Sequence, residues 1–341
     1  MQAIGIGILG CGNVSKIHAE AIRRVPMLKL VSVCSRSPES AERLASQYGV
    51  PAYSNLEEFF SDGALRAVSI CTPSGTHSEL GCAAALMKKH VLIEKPIDVS
   101  LEKTDVLIRT CVQSGVRLGV SLQSRYLDAP CALKKAVEDG RLGKPIMAGA
   151  YVKWYRTDQY YASAGWRGTL ALDGGGALIN QAIHTVDLLQ WIVGPVSEVH
   201  AYCGRLLHTQ IEGEDTLVAT LRFRDGALGI IEAATSVYPG FKRRLEITGT
   251  EGTAILDGDN IATWALKDSS ANPAPPAGEV SDGSSNAMAI DCEGHRRVME
   301  DFALAIQEGR KPKVEGKEGR RSLELVDAIY RSIRLERPVA L

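Results

Sequence analysis

Ile4-Gly5-Ile6-Gly7-Ile8-Leu9-Gly10-Cys11-Gly12-Asn13-Val14-Ser15 is the stretch that decides the fold. An apolar run broken only by glycine reads as a buried strand, and the residues that follow read as a helix through Arg24. The turn between them has the form Gly10-x-Gly12-x-x-Ser15. Its first glycine allows a tight turn. Its second lets a ligand approach the backbone, and Ser15 is small enough for close helix–strand packing. The helix start at Asn13 and Val14 offers N–H groups and a positive dipole end, which suit a pyrophosphate. Glycine turns are common, and a merely structural turn is the competing reading. The weight comes from the strand before, the helix after and the same alternation repeated downstream.

Outward from this turn, strands are expected over 28–34, 67–71, 91–94 and 116–120, with helices between them. One helix opens at Ser37-Pro38-Glu39-Ser40 and another at Ser100-Leu101-Glu102-Lys103. Strict alternation predicts an α/β domain over 1–121, a parallel sheet covered on both faces. The pattern then changes. Helical stretches at 129–139, 176–193, 294–308 and 318–334 stand among amphipathic strands at 146–155, 196–206, 216–223, 227–234, 244–249, 252–256 and 261–265. Hairpin signals such as Arg224-Asp225-Gly226-Ala227 join the strands. Together they predict an α+β domain over 122–341 with a mostly antiparallel sheet. The segment 269–285, rich in Pro, Ala, Ser and Gly, reads as a mobile loop.

The 341 residues, 45% hydrophobic and 23% charged, suit an ordinary globular protein of about two domains. A net charge of −1 gives no electrostatic case for nucleic acid or a membrane surface. No apolar run approaches a membrane span, and the chain enters a strand too early for a signal peptide. The eight cysteines are scattered without a Cys-x-x-Cys pair. That favours a cytoplasmic compartment over a disulfide framework, and no metal site is expected.

Two local features bear on chemistry. After the second strand, where an acidic side chain would mark a ribose 2′-hydroxyl, the chain has Ser35-Arg36-Ser37. An arginine between two hydroxyls favours a 2′-phosphate, hence NADP over NAD; the competing reading is a helix-capping serine beside a solvated arginine. The run Val91-Leu92-Ile93-Glu94-Lys95-Pro96 ends a buried strand on a lysine. Held there, Lys95 must find a partner or lose charge, and a lysine of lowered pKa exchanges protons near neutrality. The plainer alternative is a strand-end lysine that snorkels to solvent.

Gly7-Ile8-Leu9-Gly10-Cys11-Gly12, Cys71-Thr72-Pro73-Ser74-Gly75-Thr76-His77, Glu94-Lys95-Pro96 and the run from Asp173-Gly174-Gly175-Gly176 through His184 to Leu189 occur in one order across both expected domains. Together they resemble the glucose–fructose oxidoreductase/inositol dehydrogenase/MocA (Gfo/Idh/MocA) family. The resemblance implies a Rossmann domain plus a domain with an open sheet, which often packs against another subunit. It therefore implies a homo-oligomer. It also implies hydride transfer between a nicotinamide and a sugar, sugar nucleotide or cyclitol. It places Lys95 beside the nicotinamide and the substrate oxygen, with Thr72, Pro73, Ser74, His77 and Glu94 around the cofactor and Gln123 and Arg125 near the nicotinamide and the domain junction. Trp166 and Arg167 would close over the cofactor. His184 matches the family's acid/base histidine. Inositol dehydrogenase-like members carry aspartate four residues before that histidine, whereas this chain has Asn180. An amide neither supplies that charge nor accepts a proton, so weight moves to Lys95 with His184 as partner. Asn-x-x-x-His patterns occur in members acting on sugar nucleotides.

Asn180, His184, Asp187 and Trp191 fall on one helical face. Asp187 would orient His184 or share its proton, though a buried structural contact explains it equally well; Trp191 reads as core. Arg156, Tyr160, Tyr161 and Arg167 are expected at the substrate pocket, where rings meet sugar C–H faces and arginines meet an acidic group. A ligand-sensing protein of the same fold and a reductase of a non-sugar substrate are the alternatives.

Overall fold

A computed structural model describes residues 3–268 and 292–341. The segment 269–285 lies outside the described residues. The first half runs β1 (Ile4–Leu9), α1 (Asn13–Arg23), β2 (Leu28–Cys34), α2 (Pro38–Tyr48), β3 (Ala52–Tyr53), α3 (Leu56–Ser61), β4 (Ala67–Ile70), α4 (His77–Leu86), β5 (His90–Glu94), α5 (Leu101–Ser114) and β6 (Leu118–Ser121). Then follow α6 (Asp128–Glu138), β7 (Pro145–Lys153), α7 (Asp158–Ala162), α8 (Ile183–Val193), β8 (Val196–Gly204), β9 (Thr216–Phe223), β10 (Leu228–Ala234), β11 (Arg244–Gly249), β12 (Gly252–Asp257), β13 (Asn260–Leu266), α9 (Glu293–Gln307), α10 (Gly316–Leu335) and β14 (Val339–Ala340). Two compact units result: Met1–Gln123 with Asp291–Arg320, and Ser124–Ile290 with Arg321–Leu341.

The first unit is built on six parallel strands in the order β3-β2-β1-β4-β5-β6. This is the doubly wound dinucleotide-binding order, which reverses between β1 and β4. β4 is buried along its whole length, as a strand covered on both faces must be. Leu9 lies level with Cys34 and Ile70, and Ile70 with Ile93, so the loops after β1, β2, β4 and β5 gather at one edge. α1 turns Ser15, His18, Ala19, Ala21 and Ile22 inward. α2 begins on a Ser37 cap and stops at left-handed Gly49; α5 begins on a Ser100 cap and stops at left-handed Gly115.

α9, which the sequence reading placed within 122–341, lies in the first unit. It buries Val298, Met299 and Phe302, and a Cβ on Gly119 of β6 would sit 3.2 Å from the Phe302 ring. The Val120 N–H donates to the Val314 carbonyl at 3.0 Å, so the chain beyond α9 also covers the edge of the sheet at β6.

The second unit holds an eight-stranded sheet, β13-β12-β11-β7-β10-β9-β8-β14. Every pairing is antiparallel except β7 with β10. β9 shows why: Leu217, Ala219, Leu221 and Phe223 alternate inward while the residues between them face out. α8 packs on β7, and α6 packs on α8. On the outward face, Tyr202 of β8 stands opposite Val218 of β9, and both are exposed. Among the described residues, no helix is long and apolar enough to cross a membrane.

Candidate active site

The loops at the carboxyl edge of the first sheet carry most of the expected cofactor residues. Gly10 sits at φ +98°, and a Cβ there would lie 2.8 Å from the Cys71 carbonyl group, so only glycine fits. Gly12 differs. It caps α1 without a side-chain hydrogen bond, and nothing lies within 4 Å of where its Cβ would be. Among the described residues no acceptor takes the first N–H groups of α1, at Asn13 and Val14, and a helix start of this kind with open space beside Gly12 suits a pyrophosphate. Ser15 is buried, and its hydroxyl donates to the Gly12 carbonyl at 2.5 Å, bracing the turn from within. The fit yields a contrast between two substitutions. Gly10→Ala is expected to destabilise the protein by more than about 2 kcal/mol. Gly12→Ala should leave the thermal midpoint unchanged yet weaken dinucleotide binding about tenfold or more, the scale of a lost bond to a charged group. Thermal unfolding and cofactor titration of both variants check it.

After β2, both serine hydroxyls serve the local chain. Ser35 Oγ accepts from the Ser37 N–H at 3.2 Å, and Ser37 Oγ accepts from the Ser40 N–H at 3.3 Å. Arg36 is exposed, and among the described residues no hydrogen bond or ion pair engages it.

The loop after β4 is tied to the loop after β5 through His77. This ring is buried, with Nδ1 2.8 Å from the Pro96 carbonyl oxygen and Nε2 2.8 Å from that of Thr72. Burial pushes its pKa down, against the pull of the two carbonyls. Pro73 and Ser74 lie in the turn so anchored. Lys95 is half-buried directly after β5. Glu94, expected to line the cofactor, turns its carboxylate into the core. His18 bonds one oxygen at 2.6 Å, and His295 approaches the same oxygen at 3.5 Å. The Lys95 N–H donates to the other oxygen at 3.1 Å. Burial alone would raise the Glu94 pKa; the two histidines outweigh it and hold the carboxyl well below its ordinary range. Ligand-type atoms of His18, Glu94 and His295 lie within 4.8 Å of one another, but the 2.6 Å contact is a hydrogen bond whose proton an ion would have to displace. Gln123, after β6, is half-buried.

In the second unit the glycine run leads into a π-helical turn, Ala177–Ala182, and then α8. π-turns of this kind concentrate at functional sites. Gly176 is required because a Cβ would overlap the Glu214 backbone. The buried Glu214 carboxylate accepts from the N–H groups of Gly176 (3.1 Å) and Leu178 (2.8 Å) and from the Tyr330 hydroxyl (3.0 Å). It caps the turn, and burial raises its pKa against those donors. The turn presents Asn180 and Gln181, and α8 presents His184, all half-buried. Asn180 Nδ2 donates to Asp173, and Asn180 Oδ1 accepts from Gln181 at 2.8 Å. Gln181 also donates to the Tyr160 hydroxyl at 2.9 Å and accepts from Arg156 at 3.0 Å. The Arg156 and Arg167 guanidiniums lie over the Tyr160 ring, 5.4 and 4.0 Å from its centre, and Arg167 is also 5.7 Å from the Trp166 ring. Asn180, Gln181, Arg156, Tyr160 and Arg167 therefore form one connected polar and aromatic wall.

Two expected residues stand elsewhere. Tyr161 is buried, its hydroxyl 2.7 Å from Thr235 Oγ1 and its ring against His208, so it is a core side chain rather than a pocket one. Asp187 takes two 2.7 Å bonds from the Arg125 guanidinium, with the Ser322 hydroxyl on one of the same oxygens. Its carboxylate is spent on anchoring α8. Trp191 lies 5.4 Å from the Arg125 guanidinium. Glu214, His18 and His295 were not anticipated. No motif marks them, because their partners are distant in sequence.

Known proteins carry the same architecture. The model described as "Oxidoreductase family, NAD-binding Rossmann fold" matches residues 4–122, and the "GFO/IDH/MocA C-terminal domain" matches 131–255. The crystal structure of the WlbA dehydrogenase from Bordetella pertussis, in complex with NADH and UDP-GlcNAcA, is 34% identical with a TM-score of 0.89, over 100% of this chain and 99% of that one. Myo-inositol 2-dehydrogenase of Thermotoga maritima is 29% identical over 98% of both chains. The scyllo-inositol 2-dehydrogenase (NAD(+)) of Bacillus subtilis is 28% identical over 98% of this chain and 95% of its own. With the glycine turn, the Glu-Lys-Pro strand end and the histidine helix already in place, the chain belongs to the Gfo/Idh/MocA family of NAD(P)-dependent oxidoreductases.

Proposed function

We propose that this dehydrogenase interconverts a secondary alcohol and a ketone on a sugar nucleotide, with Lys95 moving the hydroxyl proton and His184 as its partner. The carrying observation is Lys95 itself, half-buried at the carboxyl end of a central parallel strand, where open α/β sheets bind ligands. Asn13, Val14, Gly10 and Gly12 would hold the dinucleotide. When bound, the dinucleotide supplies a hydride acceptor or donor. The protein contributes position and proton transfer. Asn180 supports a sugar nucleotide over a cyclitol: its amide is locked to Asp173 and Gln181, so it orients a hydroxyl rather than charging His184. The UDP-GlcNAcA complex of the 34% identical relative supports the same class. The wall of Arg156, Tyr160 and Arg167 supplies ring faces and cations for the substrate.

Arg36 favours NADP, since a free guanidinium stands where an acidic residue would recognise a 2′-hydroxyl. Arg36→Ala should weaken NADP by about ten- to a hundredfold and leave NAD nearly untouched. Equal dissociation constants of the unmodified protein for the two cofactors would refute the preference. A cytoplasmic, homo-oligomeric enzyme completes the reading. Its eight free cysteines suit a reducing compartment, and exposed Tyr202 and Val218 suit an assembly through the second sheet.

The test is a panel of UDP-sugars, free sugars and inositols, followed by nicotinamide absorbance with each cofactor. Turnover confined to sugar nucleotides is the expected result. Turnover of inositols alone would replace the substrate class. No turnover anywhere would favour a sensing role.

A further inference from the structure

We propose that His18 and His295 are positioning residues for Lys95, acting through the Glu94 carboxylate. This rests on the reading that Lys95 moves the substrate proton. Glu94 ends β5 with its side chain in the core, and Lys95 follows it. Three elements converge on that one carboxylate. From α1, His18 donates Nε2–H to one oxygen at 2.6 Å, while its Nδ1 lies 2.7 Å from Ser69 Oγ. With the Ser69 hydroxyl donating to Nδ1, the tautomer that serves Glu94 is fixed. From α9, His295 Nε2 stands 3.5 Å from the same oxygen. From the strand end itself, the Lys95 N–H donates to the second oxygen at 3.1 Å.

A carboxylate this deep is tolerated only with such donors. What they secure is a fixed negative charge one residue before the lysine and bonded to the lysine's own backbone. The charge favours the ammonium form of Lys95, and the bond holds its peptide in one orientation. The other titratable groups near Glu94 act differently. Cys71, after β4, has a thiol that burial pushes well up, so it stays neutral. The His77 ring is committed to the Pro96 and Thr72 carbonyls, and Asp98 accepts the N–H groups of Ser78, Val99 and Ser100. Glu94 is thus a buried charge one residue before Lys95 and bonded to its backbone N–H, and the two imidazoles hold its carboxyl well below the ordinary range.

The test titrates Lys95 without any substrate. The intact protein is labelled with limiting acetic anhydride across a range of about pH 7 to 11, and the Lys95 peptide is quantified by mass spectrometry. Glu94→Gln is expected to lower the labelling midpoint by about one pH unit, which is about tenfold more reactive amine at a fixed pH below it. His18→Leu and His295→Leu should shift it the same way by less, because one donor remains. His18→Gln, whose amide still donates, should restore most of the wild-type midpoint. A purely structural role would lower the thermal midpoint and leave the Lys95 titration in place; an unmoved titration in folded Glu94→Gln overturns the proposal. A shift in Glu94→Gln alone, absent from both leucine variants, also overturns it, since the histidines would then only fill space. If His18→Leu fails to fold, His295→Leu carries the comparison from the more distant contact. An active Lys95→Met enzyme would defeat the functional reading and leave this titration standing, so the two failures are distinct.

Discussion

Lys95→Met should lower kcat by about 10²–10⁴-fold, the usual contribution of one placed acid or base, with cofactor affinity nearly unchanged. Methionine keeps the length and apolar volume of the lysine stem and removes only the proton carrier. The dinucleotide contacts proposed for Gly10, Gly12 and the start of α1 belong to a different loop of the same edge, so they are expected to survive the change. The measurement is steady-state turnover alongside cofactor titration by fluorescence. A variant that keeps more than about half its activity would remove Lys95 from the mechanism. A fall in cofactor affinity that matches the fall in rate would recast it as a binding residue.

Arg125→Ala should cost about 3–5 kcal/mol of stability, the penalty for a buried ion pair stripped of one partner. Arg125 and Asp187 are both buried, and the guanidinium holds both carboxylate oxygens at 2.7 Å. The alanine variant leaves the buried Asp187 of α8, the helix that also carries His184, without its cation. The doubly substituted Arg125→Leu, Asp187→Leu protein should recover most of the loss, since two apolar side chains need no partner there. Urea unfolding of the three proteins decides it. A single variant within about 1 kcal/mol of the unmodified chain would show that water reaches the pair.

The first sheet was legible because its signals are local. Its longer strands are apolar runs, α2 and α5 open on serine caps, and the Gly10 turn sits between the first two elements. The sequence missed β3 and β14, two residues each, because alternation needs more length to show. The placement of α9 was also beyond it. The apolar stripe of Val298, Met299 and Phe302 announces a buried helix face but not which sheet receives it. The site divides in the same way. Motif glycines and Lys95 could be found from their neighbours in the chain. Asp187 stays open between two readings in the sequence because its spacing from His184 is visible, whereas Arg125, the partner it bonds, lies 62 residues away. Tyr161 and Tyr160 are adjacent and chemically alike in sequence; only the fold sends one to Thr235 and the other to Gln181.

Asn180 and Asp173 share a hydrogen bond, and Asp173 also accepts the Gly168 N–H at 2.8 Å in a buried setting. That pairing limits the order in which this helix can change. An aspartate at position 180, as in inositol dehydrogenase-like members, would set two carboxylates against each other where one amide now joins them, and one would have to keep its proton. A substitution at 173 must come first or arrive together with it, and it must still satisfy the Gly168 turn. The two residue pairings are thus separated by a valley two substitutions wide, and a single-site library at position 180 samples only its floor.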